Sequence, residues 1–202
     1  IFYRPNKHWN FVFGQTKLPG NRQRVNSSGA LQLTDRSINN AKFTIDRDFG
    51  FQAYYLNENK DKFSYNLKTA VSTGEGRNWT KSADDGVALT GKLELMPFGS
   101  FKKDGTHFEG DIAREETPKV LVSGAFSQNN LSKRTQGQLG EDLFAPKTTK
   151  AVFLDAMLKY NGWSLMSSYM SRATKDPIAF NPDDITEFNY VPVGSGMDYQ
   201  MS

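Results

Sequence analysis

The chain has 202 residues, no cysteine and a net charge of +3. The length fits one domain, and the lack of cysteine removes disulfides, thiolate nucleophiles and thiolate metal sites. The charge is too small and scattered to point to nucleic acid, no run of 18 apolar residues offers a transmembrane helix, and 15 Phe with 8 Tyr weigh toward sheet.

Taken in chain order, the apolar residues alternate. Trp9, Phe11 and Phe13 do so near the start. At 49–56, Phe49, Phe51, Ala53 and Tyr55 alternate with Gly50, Gln52, Tyr54 and Leu56. The clearest run is Phe63–Ser72, where Phe63, Tyr65, Leu67, Thr69 and Val71 share one face and Ser64, Asn66, Lys68, Ala70 and Ser72 the other. Such a run has one apolar and one polar side, because a strand reverses side-chain direction at every residue. Val87–Met96 and Trp163–Arg172 repeat the pattern, Val120–Ser127 and Val152–Tyr160 do so more weakly, and Met197, Tyr199 and Met201 close the series. Helical period fits none of these runs as well.

The spacing predicts about eight strands, several near ten residues long, the length a tilted strand needs to cross a bilayer. Strands of soluble sheets average five or six residues. The expected fold class is therefore all-β, an antiparallel transmembrane β-barrel. A soluble antiparallel sandwich alternates in the same way and is the rival reading.

The connections follow a parity. Asn57–Lys62 is short, and Asn161-Gly162 is a strong two-residue hairpin signal. Thr73–Gly86, Gln128–Thr148 and Ala173–Val191 are longer and polar, which puts them on the outer side and the tight turns on the periplasmic side. Phe98–Pro118 breaks the rule. It is long where a short turn is due, so it hides a small hairpin or the strand count slips by one there. Ile1-Phe2-Tyr3 lacks the basic start and apolar core of a signal peptide, and Ser202 ends a strand-like run, so the sequence reads as an internal piece of a longer barrel, residues 1–202 forming a single domain.

Three ordered segments carry a resemblance: Gly14-Gln15-Thr16-Lys17-Leu18-Pro19-Gly20-Asn21-Arg22, then Leu33-Thr34-Asp35-Arg36-Ser37, then Asp46-Arg47-Asp48-Phe49-Gly50. Together with Gly162-Trp163-Ser164-Leu165, continued by Ser167 and Tyr169, and Gly194-Ser195-Gly196-Met197-Asp198-Tyr199-Gln200, they resemble the phosphate-selective porin O and P family of Gram-negative outer membranes. The likeness is densest at 11–56. It implies a barrel of about 16 strands, usually a homotrimer, with long loops folded inward and anions moving along basic side chains. The strands visible here would supply about half of it; a closed barrel of about eight strands with a filled interior is the alternative.

An anion-selecting pore needs fixed positive charge where it is narrow, and low-dielectric walls focus the field. The connection 16–44 is the candidate constriction loop and holds Lys17, Arg22, Arg24, Arg36 and Lys42. Lys68, Lys92 and Arg172 fall on the polar faces of strands. The candidate pore-lining and anion-binding residues are thus Lys17, Arg22, Arg24, Arg36, Lys68, Lys92 and Arg172. The bland reading makes most of them solvated loop charges or structural ion pairs, and Arg47, between Asp46 and Asp48, is read as paired with carboxylates. Asp35 and Glu94 fall on or near the same surface, so a general porin with mild anion preference is expected rather than strict phosphate selectivity.

Other signals are weaker. Asp48-Phe49-Gly50 matches a kinase magnesium motif without its catalytic or glycine-rich loops. His8 and His107 are the only histidines and have no local metal or triad signature. Asp84-Asp85, Glu115-Glu116 and Asp183-Asp184 lack ordered calcium spacing, and Asn78-Trp79-Thr80 is a glycosylation triplet of little weight in a bacterial protein. The sequence therefore points to passive diffusion of small, preferably anionic solutes across the outer membrane, with lipid as surroundings, and without catalysis, cofactor, metal or nucleic acid. A soluble carbohydrate-binding sandwich and a small non-channel barrel with a structural or adhesive role are the alternatives.

Overall fold

The structure is a computed structural model that describes residues 1–79 and 86–202; Thr80, Asp84 and Asp85 lie outside the described residues. In chain order the elements are β1 (Phe2–Tyr3), β2 (Trp9–Lys17), α1 (Arg22–Val25), α2 (Ile38–Phe43), β3 (Arg47–Asn57), β4 (Ser64–Ser72), β5 (Ala88–Met96), β6 (Lys119–Arg134), β7 (Asp142–Tyr160), β8 (Trp163–Thr174), β9 (Ile178–Phe180), β10 (Phe188–Tyr190) and β11 (Gly194–Met201). The expected strands correspond to β2 through β8 and β11. One antiparallel sheet of nine strands runs in the order β1-β2-β3-β4-β5-β6-β7-β8-β11, and β9 and β10 form a separate hairpin. Among the described residues β1 and β11 are the ends of the sheet and do not pair with each other, so the nine strands form an open sheet and no closed barrel, eight-stranded or larger, is present.

Register sorts the side chains into two faces. Along β4 and β5, Tyr65 faces Leu95, Leu67 faces Leu93 and Val71 faces Leu89, while Asn66 faces Glu94 and Lys68 faces Lys92. The apolar set is open: Leu67 and Leu89 are each 47% exposed and Leu165 43%. The polar set is buried: Lys92, Asp155 and Arg172 are each 3% exposed. This inverts the arrangement of a soluble sheet, where the apolar face is the covered one. No second large sheet packs on the apolar face among the described residues.

Two connections cover the polar, inward face. Residues 18–46 lay Leu18 and Ile45 against Ala70, Phe153 and Met170 of the wall. Gly20 sits so close to Ile45 that a Cβ would lie 2.5 Å from Ile45 Cγ1, which only glycine avoids. Within this loop Ser37 caps α2, its hydroxyl accepting from the Asn40 N–H at 3.1 Å. Residues 97–118 contain the 3₁₀ turn Lys102–His107 and press Phe101 onto Met96, Leu121, Met157 and Met166. This connection is long because it turns inward; it hides no hairpin, and the strand count does not slip there.

Two expectations are corrected. Gln128–Thr148 is not a long loop, because β6 and β7 continue to Arg134 and from Asp142 as a two-stranded ribbon around a short turn, with register shifts between Asn129 and Arg134. On the β6 side Asn129, Asn130, Ser132, Lys133 and Arg134 are polar on both faces, so no apolar alternation marks that strand of the ribbon. Ala173–Val191 contains the β9–β10 hairpin, whose Ala179 packs with Val191 on Leu143.

The turn at Asn161-Gly162 joins Tyr160 to Trp163 with φ of +49° and +93°. Right-handed twist favours this left-handed pair in a two-residue hairpin. An added Cβ at Gly162 meets only the Arg114 side chain, at 3.7 Å, so the cost of substitution is conformational. Gly162→Val should lower stability by about 1–2 kcal/mol, measured as a shift in the urea midpoint of unfolding.

Candidate functional site

On the inward face, between the two infolded loops and the wall, lies a cavity of about 250 Å³. Four of the expected residues line it: Lys17, Arg22, Lys68 and Lys92. Strand alternation puts Lys68 and Lys92 there, each two residues from another inward side chain. The direct juxtaposition of two lysines is tolerated because Glu94 sits between them and Arg22. Its carboxylate accepts from Arg22 Nη2 at 2.7 Å and Lys68 Nζ at 2.8 Å, and lies 3.8 Å from Lys92 Nζ.

Asp155 is the second buried hub. Lys92 Nζ lies 3.2 Å from its Oδ2 and also donates to Gly20 O at 2.8 Å. Ser168 and Ser123 donate to the same carboxylate at 2.8 and 3.2 Å, and the Arg22 backbone N–H reaches it at 3.3 Å. Arg22 Nη1 donates to Thr106 O at 2.7 Å, which ties the two loops together. Lys17 Nζ donates to Val25 O and Asn26 O at 2.9 and 3.1 Å.

Arg24, Arg36 and Arg172 do not line this cavity. Arg24 Nε donates to Asp46 Oδ1 at 2.8 Å. Arg36 donates to the carbonyls of Gln23 and Asn26 at 2.9 and 3.2 Å. Arg172 donates to those of Lys42 and Thr44 at 2.7 and 3.0 Å. All three hold the backbone or strand end of the 18–46 loop in place. Lys159 does the same for the other loop, with carbonyls of Gly105, Phe108 and Gly110 within 2.8 Å. The expected pairing of Arg47 is corrected. Asp46 faces Arg24 and Arg77, and Asp48 accepts from Thr73 Oγ1 and the Gly74 and Gly76 N–H groups. The reason is alternation, which sends Arg47 to the opposite side from both neighbours.

Glu58, Asn66, Tyr54 and His107 are also among the lining residues, and the sequence reading named none of them as site residues. Asn66 was legible as a polar-face residue of β4. Glu58 lies in a turn and His107 in the infolded loop, and no local pattern marks either. Partial desolvation first, then the charges of Lys68 and Arg22, hold the His107 imidazole below the ordinary histidine range. Of the acidic pairs, Glu115 accepts the Lys102 N–H at 2.6 Å, and Asp183 and Asp184 belong to local loop turns.

With this geometry described, comparison with family models, with curated proteins and with solved structures gives no match to the chain.

Two outcomes follow from the site. Removing the Asp155 carboxylate leaves Lys92 buried with a weakened set of partners, so Asp155→Ala should destabilise the fold by about 3–5 kcal/mol, checked by urea unfolding. His107 binds its proton less readily when folded than when unfolded. The unfolded state therefore gains protons first as pH falls, and stability drops from about pH 6.5 downward through the lower folded value. His107→Gln should show a shallower loss than the native chain between about pH 7 and 5, measured by the same unfolding midpoints.

Proposed function

We propose that this chain forms wall and constriction of an outer-membrane porin that lets small solutes diffuse passively, with a mild preference for anions. The observation that carries the reading is the inverted polarity of the sheet. A lipid-facing wall needs apolar side chains outward and tolerates charge only toward a wet or protein-filled interior.

A second feature supports it. At the end of the sheet that carries the 58–63 and 161–162 turns, exposed and half-buried aromatics gather. Trp9 and Tyr55 rings lie 5.2 Å apart, Tyr55 and Tyr65 6.0 Å, and Tyr160 and Trp163 flank the 161–162 turn farther along the sheet. Trp and Tyr, apolar in body and polar at the tip, favour the membrane–water boundary. At this end only the infolded 97–118 connection is long, and the other end carries the long 18–46 and 175–193 connections, as expected for the outside of a barrel.

In hydrocarbon, the free edges of β1 and β11 would leave backbone N–H and C=O groups unpaired at several kcal/mol each. The reading therefore requires further strands to close the wall, in line with a barrel of about 16 strands and a trimeric assembly. The cavity lining carries four fixed cations against two carboxylates, Glu58 and Glu94, which supports the anion preference. Conduction would pass beside the 18–46 and 97–118 loops without bond chemistry.

The protein is expected to need detergent, to migrate heat-modifiably on gels and to conduct in planar bilayers with a reversal potential on the anion side. Replacing both Lys17 and Lys68 by Gln should move that potential toward cations, and Arg24→Gln with Arg36→Gln should move it less. Protein that stays folded and monomeric in plain buffer would overturn the reading. A charge on the outward face distinguishes lipid from water: Leu93→Arg should cost about 2–4 kcal/mol near the bilayer midplane, and almost nothing on a water-facing surface.

A further inference from the structure

We infer, resting on the pore reading above, that Glu94 is the residue that keeps the anion preference mild: its carboxylate fills an oxyanion cradle that a small carboxylate-type solute would otherwise occupy. The cradle follows from the β4–β5 register, which pairs Asn66 with Glu94 and Lys68 with Lys92 on the inward face. Arg22 closes it from the 18–46 loop. Glu94 Oε1 accepts from Arg22 Nη2 at 2.7 Å, and Oε2 accepts from Lys68 Nζ at 2.8 Å and from Asn66 Nδ2 at 3.3 Å. Lys92 Nζ stands 3.8 Å from Oε1. Guanidinium, ammonium and amide donors converging on one carboxylate are the set that recognises a free oxyanion.

The cations do not depend on Glu94 for their places. Arg22 is also held by Thr106 O, and Lys92 by Asp155 and Gly20 O. Without the Glu94 charge, Arg22, Lys68 and Lys92 would face one carboxylate, Asp155, instead of two. Two polar atoms of the cradle remain unmet even now: Arg22 Nε is buried without an acceptor and Asn66 Oδ1 without a donor. The Asn66 amide leaves its oxygen unpaired while its NH₂ group serves the two carboxylates, Glu94 and Glu58. Arg22, Asn66, Lys68, Lys92 and Glu94 all line the cavity. The Lys68 side chain is 17% exposed, against 4% for Arg22 and 2% for Lys92, which makes Lys68 the side of entry. An anion in the cavity therefore feels the field of the cradle but finds its centre taken.

The test uses the full chain with formate as probe and the variants Glu94→Gln and Glu94→Ala. In planar bilayers, Glu94→Gln should raise the chloride-to-potassium permeability ratio at least about twofold, because low-dielectric walls focus the field of fixed charge. Glu94→Ala removes the side chain that fills the cradle. Sodium formate should then raise its urea midpoint progressively, as a ligand of the folded state does, and by more than sodium chloride at equal ionic strength. The native chain should respond to the two salts alike. Where Glu94→Ala folds poorly, the yield of refolding in formate against chloride gives the same reading. A purely structural Glu94 predicts lower midpoints with no difference between the salts. That result, with conduction and an unchanged permeability ratio in Glu94→Gln, overturns the inference and leaves the pore. A formate gain without conduction keeps the cradle and overturns the pore. Neither conduction nor a formate gain overturns both.

Discussion

The charges of the inward face are committed to holding the backbone of two loops, and the rest of the structure depends on that. A connection packed against a wall brings in carbonyl and N–H groups that water no longer reaches, and each must find a partner. Here the wall supplies them from side chains. Arg172 takes the carbonyls of Lys42 and Thr44, Lys92 that of Gly20, Lys159 those of Gly105, Phe108 and Gly110, and Lys119 those of Lys60 and Phe98. Lysine and arginine suit the task because they donate several hydrogen bonds from one anchored position. The small apolar clusters around Phe153 and around Leu121 then fix each loop's depth.

This arrangement explains why so little of the inward charge stays available to a solute. A carboxylate shared by three cations, as Glu94 is, contributes to the field of the cavity but offers no open contact. What remains are the residues at the cavity's margins, Lys17 on the end of β2 and Glu58 in the turn after β3. On the pore proposal these marginal groups are the ones a passing solute meets, while the buried network holds the two loops in place.

The strands were legible because one face of each is apolar. Phe63 to Ser72 and Val87 to Met96 announce both element and orientation, and their partners follow from adjacency in the chain. The ribbon beyond Asn129 was not legible, since Ser132, Lys133 and Arg134 are polar on both faces and the alternation has nothing to contrast. At the site, Lys68 and Lys92 could be read from their position opposite Leu67 and Leu93. Whether Arg24, Arg36 or Arg172 meets a solute or a carbonyl depends on backbone acceptors that no residue type reveals. Glu58 meets Asn66 across the β3–β4 hairpin, but His107 joins them only through the infolding of the 97–118 loop, a long-range event.

The account rests on hydrocarbon touching the outward side chains, and spin labels placed one at a time read that contact directly. Labels at Leu89, Leu93, Val122 and Leu154 in lipid vesicles should be relaxed strongly by dissolved oxygen and hardly by a water-soluble nickel chelate. Labels at the neighbouring Thr90, Ser123 and Ala151 should be shielded from oxygen. The nickel chelate reaching the four outward positions as readily as it reaches Ile185 in the exposed connection between β8 and β11 would contradict the account.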